Sequence, residues 1–327
     1  MSALAGVQIQ PSFATIRKAQ KFLPKYFAPT RLVAAPFLSQ VAGRNVYLKL
    51  ETELPTGSFK VRGAFYALAQ RMKRETVREV IASSTGNHGA AVAYAAKEFG
   101  VAARIFMPAN GNPVKRGRIQ ALGATIEESG GSDLASAFEL AAEYAKQPGV
   151  YFMNDATDLD LPAGPATIAC EILRQLPTAS AMVVPMGDTA LIRGMAAAAK
   201  QFAPQARMIG VQAERAPAYY LSWKAGKVVG TETCDTIADG LATRTPEEAN
   251  VRDVRQLVDD LVLVSEEEML RAIGTLLLEE HVVAEPAGAA STAALLKSRE
   301  GWGDCPVLVV SGANVSREVL RRALQVL

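Results

Sequence analysis

The chain has 327 residues, and its 35 Lys and Arg nearly cancel 33 Asp and Glu, leaving a formal net charge of +2. That length exceeds one simple core and points to two domains or one large α/β unit. Balanced charge, with no basic run interleaved with aromatics, excludes nucleic acid and anionic membrane as partners and favours a small neutral or zwitterionic ligand.

From the N-terminus, a short apolar opening gives way to polar residues and Pro11. No run approaches the ~20 apolar residues that span a bilayer, so a soluble, unprocessed chain is expected. A strand is predicted over 46–50, and then the chain reads Pro55-Thr56-Gly57-Ser58-Phe59-Lys60-Val61-Arg62-Gly63-Ala64. An amine on a glycine-bearing turn, flanked by an aromatic and entering an Ala-rich helix, suits a lysine that meets a carbonyl carbon as a Schiff base. Helices predicted over 63–73, 90–99 and 114–122 alternate with strands over 80–83 and 103–107. Further strands are predicted over 181–184, 207–211, 261–264 and 307–310. Such alternation signals parallel β-α-β units.

The helices are rich in alanine, which lets them lie close to a sheet. Ser265 and Glu268, three residues apart, read as a capping box rather than as part of an acidic metal site. Cys170, Cys234 and Cys305 are dispersed and lack C-x-x-C spacing, which argues against a disulfide frame or a zinc site and for a reducing cytosol.

Three loops follow predicted strands. Ser83-Ser84-Thr85-Gly86-Asn87-His88-Gly89 offers hydroxyls and backbone N–H groups at a helix start, a setting for an anion such as a carboxylate. Pro185-Met186-Gly187-Asp188-Thr189-Ala190-Leu191 repeats the strand, small-residue loop and helix order that cradles phosphate, without the glycine spacing of a dinucleotide fold or the Gly-Lys-Ser/Thr of a P-loop. Ser311-Gly312-Ala313-Asn314 sets a hydroxyl at the carboxyl end of the last strand, where α/β folds bind ligands.

Together these motifs resemble the fold type II family of pyridoxal-phosphate enzymes, in its threonine/serine dehydratase and serine racemase branch. The resemblance spans nearly the whole chain, and takes in Ala163-Gly164 with Thr167, Ile237-Ala238-Asp239-Gly240-Leu241 and Glu285-Pro286-Ala287-Gly288-Ala289 as well. It implies an α/β fold of two doubly wound open-sheet domains, like the tryptophan synthase β-subunit. A small domain over 62–152 would be inserted in a large cofactor-binding domain over 1–61 and 153–327, with the cofactor in the cleft between them. A cytoplasmic homodimer acting on a small amino acid is the accompanying expectation.

The resemblance also implies roles. Pyridoxal 5'-phosphate would be held covalently on Lys60, which later takes the α-proton, while Phe59 packs near the ring and Asn87 bonds the ring oxygen. Gly187, Asp188, Thr189, Ala190 and Leu191 would bind the phosphate, and Ser311 would face the pyridine nitrogen. Ser84, Thr85, Asn87 and His88 would hold the substrate carboxylate, with Lys60 and Thr85 as the catalytic pair. A neutral hydroxyl at the ring nitrogen makes a weaker electron sink and favours prompt loss of a β-substituent.

Four departures qualify the match. The phosphate loop, usually four glycines, here contains Asp188 and Thr189, so Asp188 has to turn away from the phosphate or be neutralised. Thr85 stands where the racemase has serine, and its methyl narrows that face and disfavours racemisation. Gln212 and Ala218 replace carboxylates of a divalent-cation site, leaving Glu214 and an expectation of no metal or weak binding. The chain stops soon after Asn314, so feedback control by isoleucine through an added domain is not expected.

The leading expectation is therefore an ammonia-lyase that removes water from a serine- or threonine-type 3-hydroxy amino acid, giving a 2-oxo acid and ammonia. A second enzyme reading is elimination or replacement on 3-hydroxyaspartate, a phenylserine or a hydroxyectoine-derived compound. A third, from another class, is a non-catalytic ligand-binding relative.

Overall fold

Runs such as Val307-Leu308-Val309-Val310 put apolar side chains on both faces of a strand, and only a sheet covered on both sides can bury them. All four are buried in the computed structural model, which describes residues 10–84, 86–109, 113–131, 134–298 and 300–327. In chain order the strands are β1 (Leu32–Ala34), β2 (Tyr47–Leu50), β3 (Glu79–Ser83), β4 (Ala102–Pro108), β5 (Thr125–Ser129), β6 (Val150–Phe152), β7 (Ala181–Pro185), β8 (Arg207–Ala213), β9 (Asp260–Val264) and β10 (Pro306–Val310). The helices are α1 (Phe13–Phe22), α2 (Pro36–Ala42), α3 (Lys60–Arg74), α4 (Asn87–Phe99), α5 (Pro113–Ala121), α6 (Leu134–Tyr144), α7 (Ala163–Gln175), α8 (Ala190–Phe202), α9 (Ala218–Ala225), α10 (Glu248–Leu257), α11 (Glu266–Leu278), α12 (Pro286–Lys297) and α13 (Arg317–Gln325).

Among these residues a six-stranded sheet runs β1-β2-β10-β7-β8-β9, parallel except for β1 against β2, and a four-stranded parallel sheet runs β5-β4-β3-β6. Strand alternation divides the larger core. Val183, Ile209, Leu308 and Val310 pack with α11 and α12 on one face, while Met182, Val184, Met208 and Val309 pack with α7 and α8 on the other. Each such fully buried side chain contributes about 1.5–3 kcal/mol. In the smaller sheet Val80, Ala82 and Ile105 face α3 and α4, and Ile81 and Phe106 face α6. Both sheets are thus wound by helices on two sides, as the sequence reading expects.

Two helices begin three residues earlier than their apolar periodicity suggests, and both starts matter. Lys60 opens α3 and Asn87 opens α4, so each lies in the first turn of a helix rather than in a free loop. The edge strand β5, Thr-Ile-Glu-Glu-Ser, is mostly exposed and carries no strand-like apolar pattern, and β1 and β6 are three residues each, which hides them from the sequence. The capping box is present, with Glu268 N donating to Ser265 Oγ at 3.2 Å and Ser265 N to Glu268 Oε2 at 2.7 Å. The three cysteines are free thiols.

What fixes α3 is a buried charged network. Arg62 donates to Glu51 Oε2 at 2.7 Å and to Glu171 Oε1 at 2.6 Å, with Thr167 Oγ1 at 3.0 Å. Lys49 adds a bond to Glu171 Oε2 at 2.7 Å and another to the Thr30 carbonyl at 2.8 Å. All four charged groups are buried, and they tie β2 and the turn after it to α3 and α7. Gly164 permits this approach, since a Cβ there would lie 2.3 Å from the Arg62 carbonyl oxygen. Residues two apart on a helix point about 200° apart. With Arg62 anchored in the core, Lys60 is turned to the opposite side.

Candidate active site

The lysine turn is stitched to the loop after β10. Ser58 forms a bridge with Gly312, Phe59 N donates to the Ser311 carbonyl at 3.0 Å, and Ala313 N donates to the Gly57 carbonyl at 2.9 Å. Gly57 adopts a left-handed φ of 68° that few other residues take without strain. Lys60 Nζ then lies 2.7 Å from Asp155 Oδ2 and 5.5 Å from the centre of the Phe59 ring. Burial raises the Asp155 carboxyl, but the Lys60 ammonium, joined by His88 once acid protonates it, outweighs burial and holds the group well below the usual carboxylate range.

Asn87 links the other loops. Its Nδ2 donates to Glu285 Oε1 at 2.5 Å, and its Oδ1 accepts from Asn314 Nδ2 at 2.7 Å. Asn314 Nδ2 also reaches the Thr56 carbonyl at 2.9 Å, so segments far apart in sequence fix one amide plane. His88 is buried with Nε2 2.8 Å from the Met153 carbonyl, and burial pulls its pKa down. Ser84 Oγ accepts from Gly86 N at 3.2 Å. Thr85 lies outside the described residues.

Between β7 and α8, Gly187 has to be glycine, because a Cβ would meet the Gly240 carbonyl oxygen at 2.2 Å. Thr189 takes a left-handed φ of 71°, costing roughly 1–2 kcal/mol for a residue with a side chain. Arg193 Nε holds it, donating to Thr189 Oγ1 at 2.9 Å, while Arg193 Nη2 reaches the Ala156 carbonyl at 3.2 Å. Asp188 turns its carboxylate onto the Thr243 hydroxyl at 3.0 Å. Burial, with Asp155 adding repulsion, raises its pKa to about 6. The conflict between Asp188 and a bound phosphate is thus met by rotation toward Thr243 and by easier protonation. The first N–H groups of the 13-residue helix α8 are left open by helix geometry at this loop.

These loops line a cleft at the carboxyl ends of both sheets. Phe59, Lys60, Ser84, Asn87, His88 and Ser311 line it together with the loop Gly187, Asp188, Thr189, Ala190 and Leu191. The sequence reading gave no role to Asp155 or Glu285, which also line it. Asp155 lies three positions after β6, at the strand end where α/β ligands bind, and that position was its only signal. Gln212 and Glu214 are engaged elsewhere, Gln212 Oε1 accepting from Tyr220 N at 2.8 Å and Glu214 pairing with Lys297 at 2.8 Å. Among the described residues no group of three metal-ligating side chains is gathered, and no helix is long and apolar enough to cross a membrane.

The cleft suits pyridoxal phosphate. It offers an amine for a carbonyl carbon, a glycine-bearing turn at a helix N-terminus for a phosphate, an amide fixed by two partners, and a hydroxyl on the segment bonded to the lysine turn. Comparisons agree with that chemistry. A family model for pyridoxal-phosphate dependent enzymes matches residues 23–312. An L-threonine ammonia-lyase of Thermotoga maritima is 37% identical over 94% of this chain and 77% of its own length. The catabolic L-threonine dehydratase TdcB of Staphylococcus aureus is 34% identical over 93% of this chain and 89% of its own. A maize serine racemase structure superposes with a TM-score of 0.90 at 28% identity, covering 97% of each chain. With its lysine turn, its glycine-bearing loop after β7 and its covered parallel sheets, the chain belongs to the pyridoxal-phosphate dependent enzymes.

Proposed function

We propose that the protein is an ammonia-lyase that eliminates water from a serine- or threonine-type 3-hydroxy amino acid, releasing a 2-oxo acid and ammonia. The observation that carries the reading is the backbone bond of 3.0 Å from Phe59 N to Ser311 O, which sets Lys60 and a neutral hydroxyl on one wall of the cleft. When bound, pyridoxal phosphate supplies a carbonyl carbon for the substrate amine and draws electron density from Cα.

The chain's own residues do the rest. The turn from Gly187 to Leu191 and the α8 N-terminus would hold the cofactor's phosphate, and Asn87, Phe59 and Ser311, which line the same cleft, would hold its ring oxygen, its ring face and its nitrogen. Ser84, Thr85 and the N-terminus of α4 receive the substrate carboxylate. His88, bonded to Met153, stiffens that turn. Lys60 as a neutral amine takes the proton from Cα. The Cα–H electrons form a Cα=Cβ bond, the Cβ–O bond breaks, the hydroxyl leaves as water with the proton that Lys60 took, and the released enamine hydrolyses to 2-oxo acid and ammonia. Segment 62–152 acts as a small domain whose closure excludes water. The same reading includes a cytoplasmic homodimer, and light scattering on the purified protein checks the assembly.

The deciding assay offers serine, threonine and phenylserine stereoisomers and measures 2-oxo acid and ammonia. Ammonia release with matching 2-oxo acid supports the proposal. A new amino acid formed only with a thiol or amine co-substrate would replace elimination by substitution.

Asp188 adds a pH signature. Its pKa is raised to about 6, so the stability that goes with its neutral form is complete below the ordinary value of 3.8 and is lost as pH rises through about 6. Ionisation there also sets a negative charge beside the phosphate turn. Affinity of the apoprotein for pyridoxal phosphate is expected to weaken from pH 5 to 8 and to weaken less in Asp188→Asn. At pH 8 that variant should bind about tenfold more tightly, one pKa unit of interaction being about 1.4 kcal/mol, as read by equilibrium dialysis.

A further inference from the structure

The ion pair in the cleft joins a base to a carboxylate that the reaction leaves unbalanced. Lys60 Nζ and Asp155 Oδ2 are 2.7 Å apart, with side chains only 16% and 21% exposed. To take the α-proton, Lys60 has to be a neutral amine. A neutral amine no longer offsets the Asp155 charge. His88, the other basic group beside Asp155, is kept neutral near pH 7 by its burial. Asp188, which lines the same cleft, adds negative potential rather than relieving it.

Geometry then sets what Asp155 meets. An amine in contact with the α-proton and hydrogen-bonded to Asp155 places the carboxylate within about 6 Å of Cα, two contacts of roughly 3 Å each. Substituents on Cβ and Cγ fall within that reach. A carboxylate in a partly dry cleft attracts a hydrogen-bond donor or a cation there, and strongly opposes a second anion.

We propose that Asp155 is a specificity residue that reads the substrate side chain. It prefers an amino group on Cβ or Cγ, accepts a neutral side chain and rejects a carboxylate. The inference rests on the reading of the cleft as the site of a β-substituted amino acid, and it narrows that reading: 3-hydroxyaspartate is excluded, and a 3-hydroxy amino acid bearing a second amine is the favoured class.

The test uses binding rather than turnover. The holoenzyme is titrated calorimetrically with 2,4-diaminobutyrate, 2-aminobutyrate and aspartate, which lack a β-hydroxyl and so cannot lose water. The expected order is diamine tightest and aspartate weakest, with steps of at least about tenfold, as charge pairing in a partly dry site provides. In Asp155→Asn the three should fall within about threefold of one another, since one charge of each pairing is gone. Equal affinities in the wild-type protein overturn the proposal without recourse to any variant, and an order that survives Asp155→Asn shows that another group causes it. If no 3-hydroxy amino acid yields 2-oxo acid while the charge order holds, the elimination reading falls and the selectivity stands.

Discussion

Lys60→Ala is expected to lower ammonia release by at least about a thousandfold, within the range contributed by a positioned acid–base group, and to abolish visible absorption from the bound cofactor. Alanine is the best helix former, so replacing the first residue of α3 leaves the helix intact. Circular dichroism should match the wild type. The ion pair of 2.7 Å with Asp155 is also lost, so the change removes both an amine and a charge. Lys60→Arg separates the two. Arginine keeps a cation facing Asp155 but is not neutral at any working pH. Asp155 should stay ionised in Lys60→Arg while turnover falls as far as in Lys60→Ala. Appreciable activity in either variant would remove Lys60 from the mechanism.

The second large effect lies on the far side of the same helix. Arg62→Met removes the guanidinium that holds Glu51 and Glu171 at 2.7 and 2.6 Å. Two buried carboxylates then remain with Lys49 as the cation of the network, which bonds Glu171 of the two. Breaking a buried pair by deleting one partner costs about 3–5 kcal/mol, a large share of a typical domain's stability. Urea denaturation should show a correspondingly lower midpoint, and poor expression would have the same cause. Because Glu171 is held below its usual pKa by Arg62 and Lys49 against the cost of burial, acid should unfold the wild type as pH falls through the folded value of that group. Glu171→Gln should blunt this acid sensitivity.

Much of the site could be read from sequence because strand-end loops carry their chemistry locally. Lys60, Asn87, the turn at Gly187 and Ser311 each sit where a strand pattern yields to a helix or stops. The sheets were legible for the same reason, through apolar runs such as Val307 to Val310. What escaped was whatever depends on partners distant in the chain. Asp155 sits among Asn154, Ala156 and Thr157 with no periodic or glycine signal around it. Arg62 belongs to the lysine motif, yet its purpose is set by Glu51 and Glu171, 11 and 109 positions away. Strand β5 shows little apolar alternation because most of it faces water. The consequence of Asp188 also needed coordinates, since only the bond to Thr243 shows which way the carboxylate turns.

The joining of the lysine turn to the loop after β10 bears on how the enzyme comes into being. Asn314, which braces Asn87 and the carbonyl of Thr56, is made 227 positions after Asn87. A chain growing on the ribosome therefore has its four-stranded sheet available long before β10 can slot between β2 and β7. Until that insertion, Lys60 lacks the wall that positions it. Capture of the cofactor in its finished cleft is consequently a late event of biogenesis.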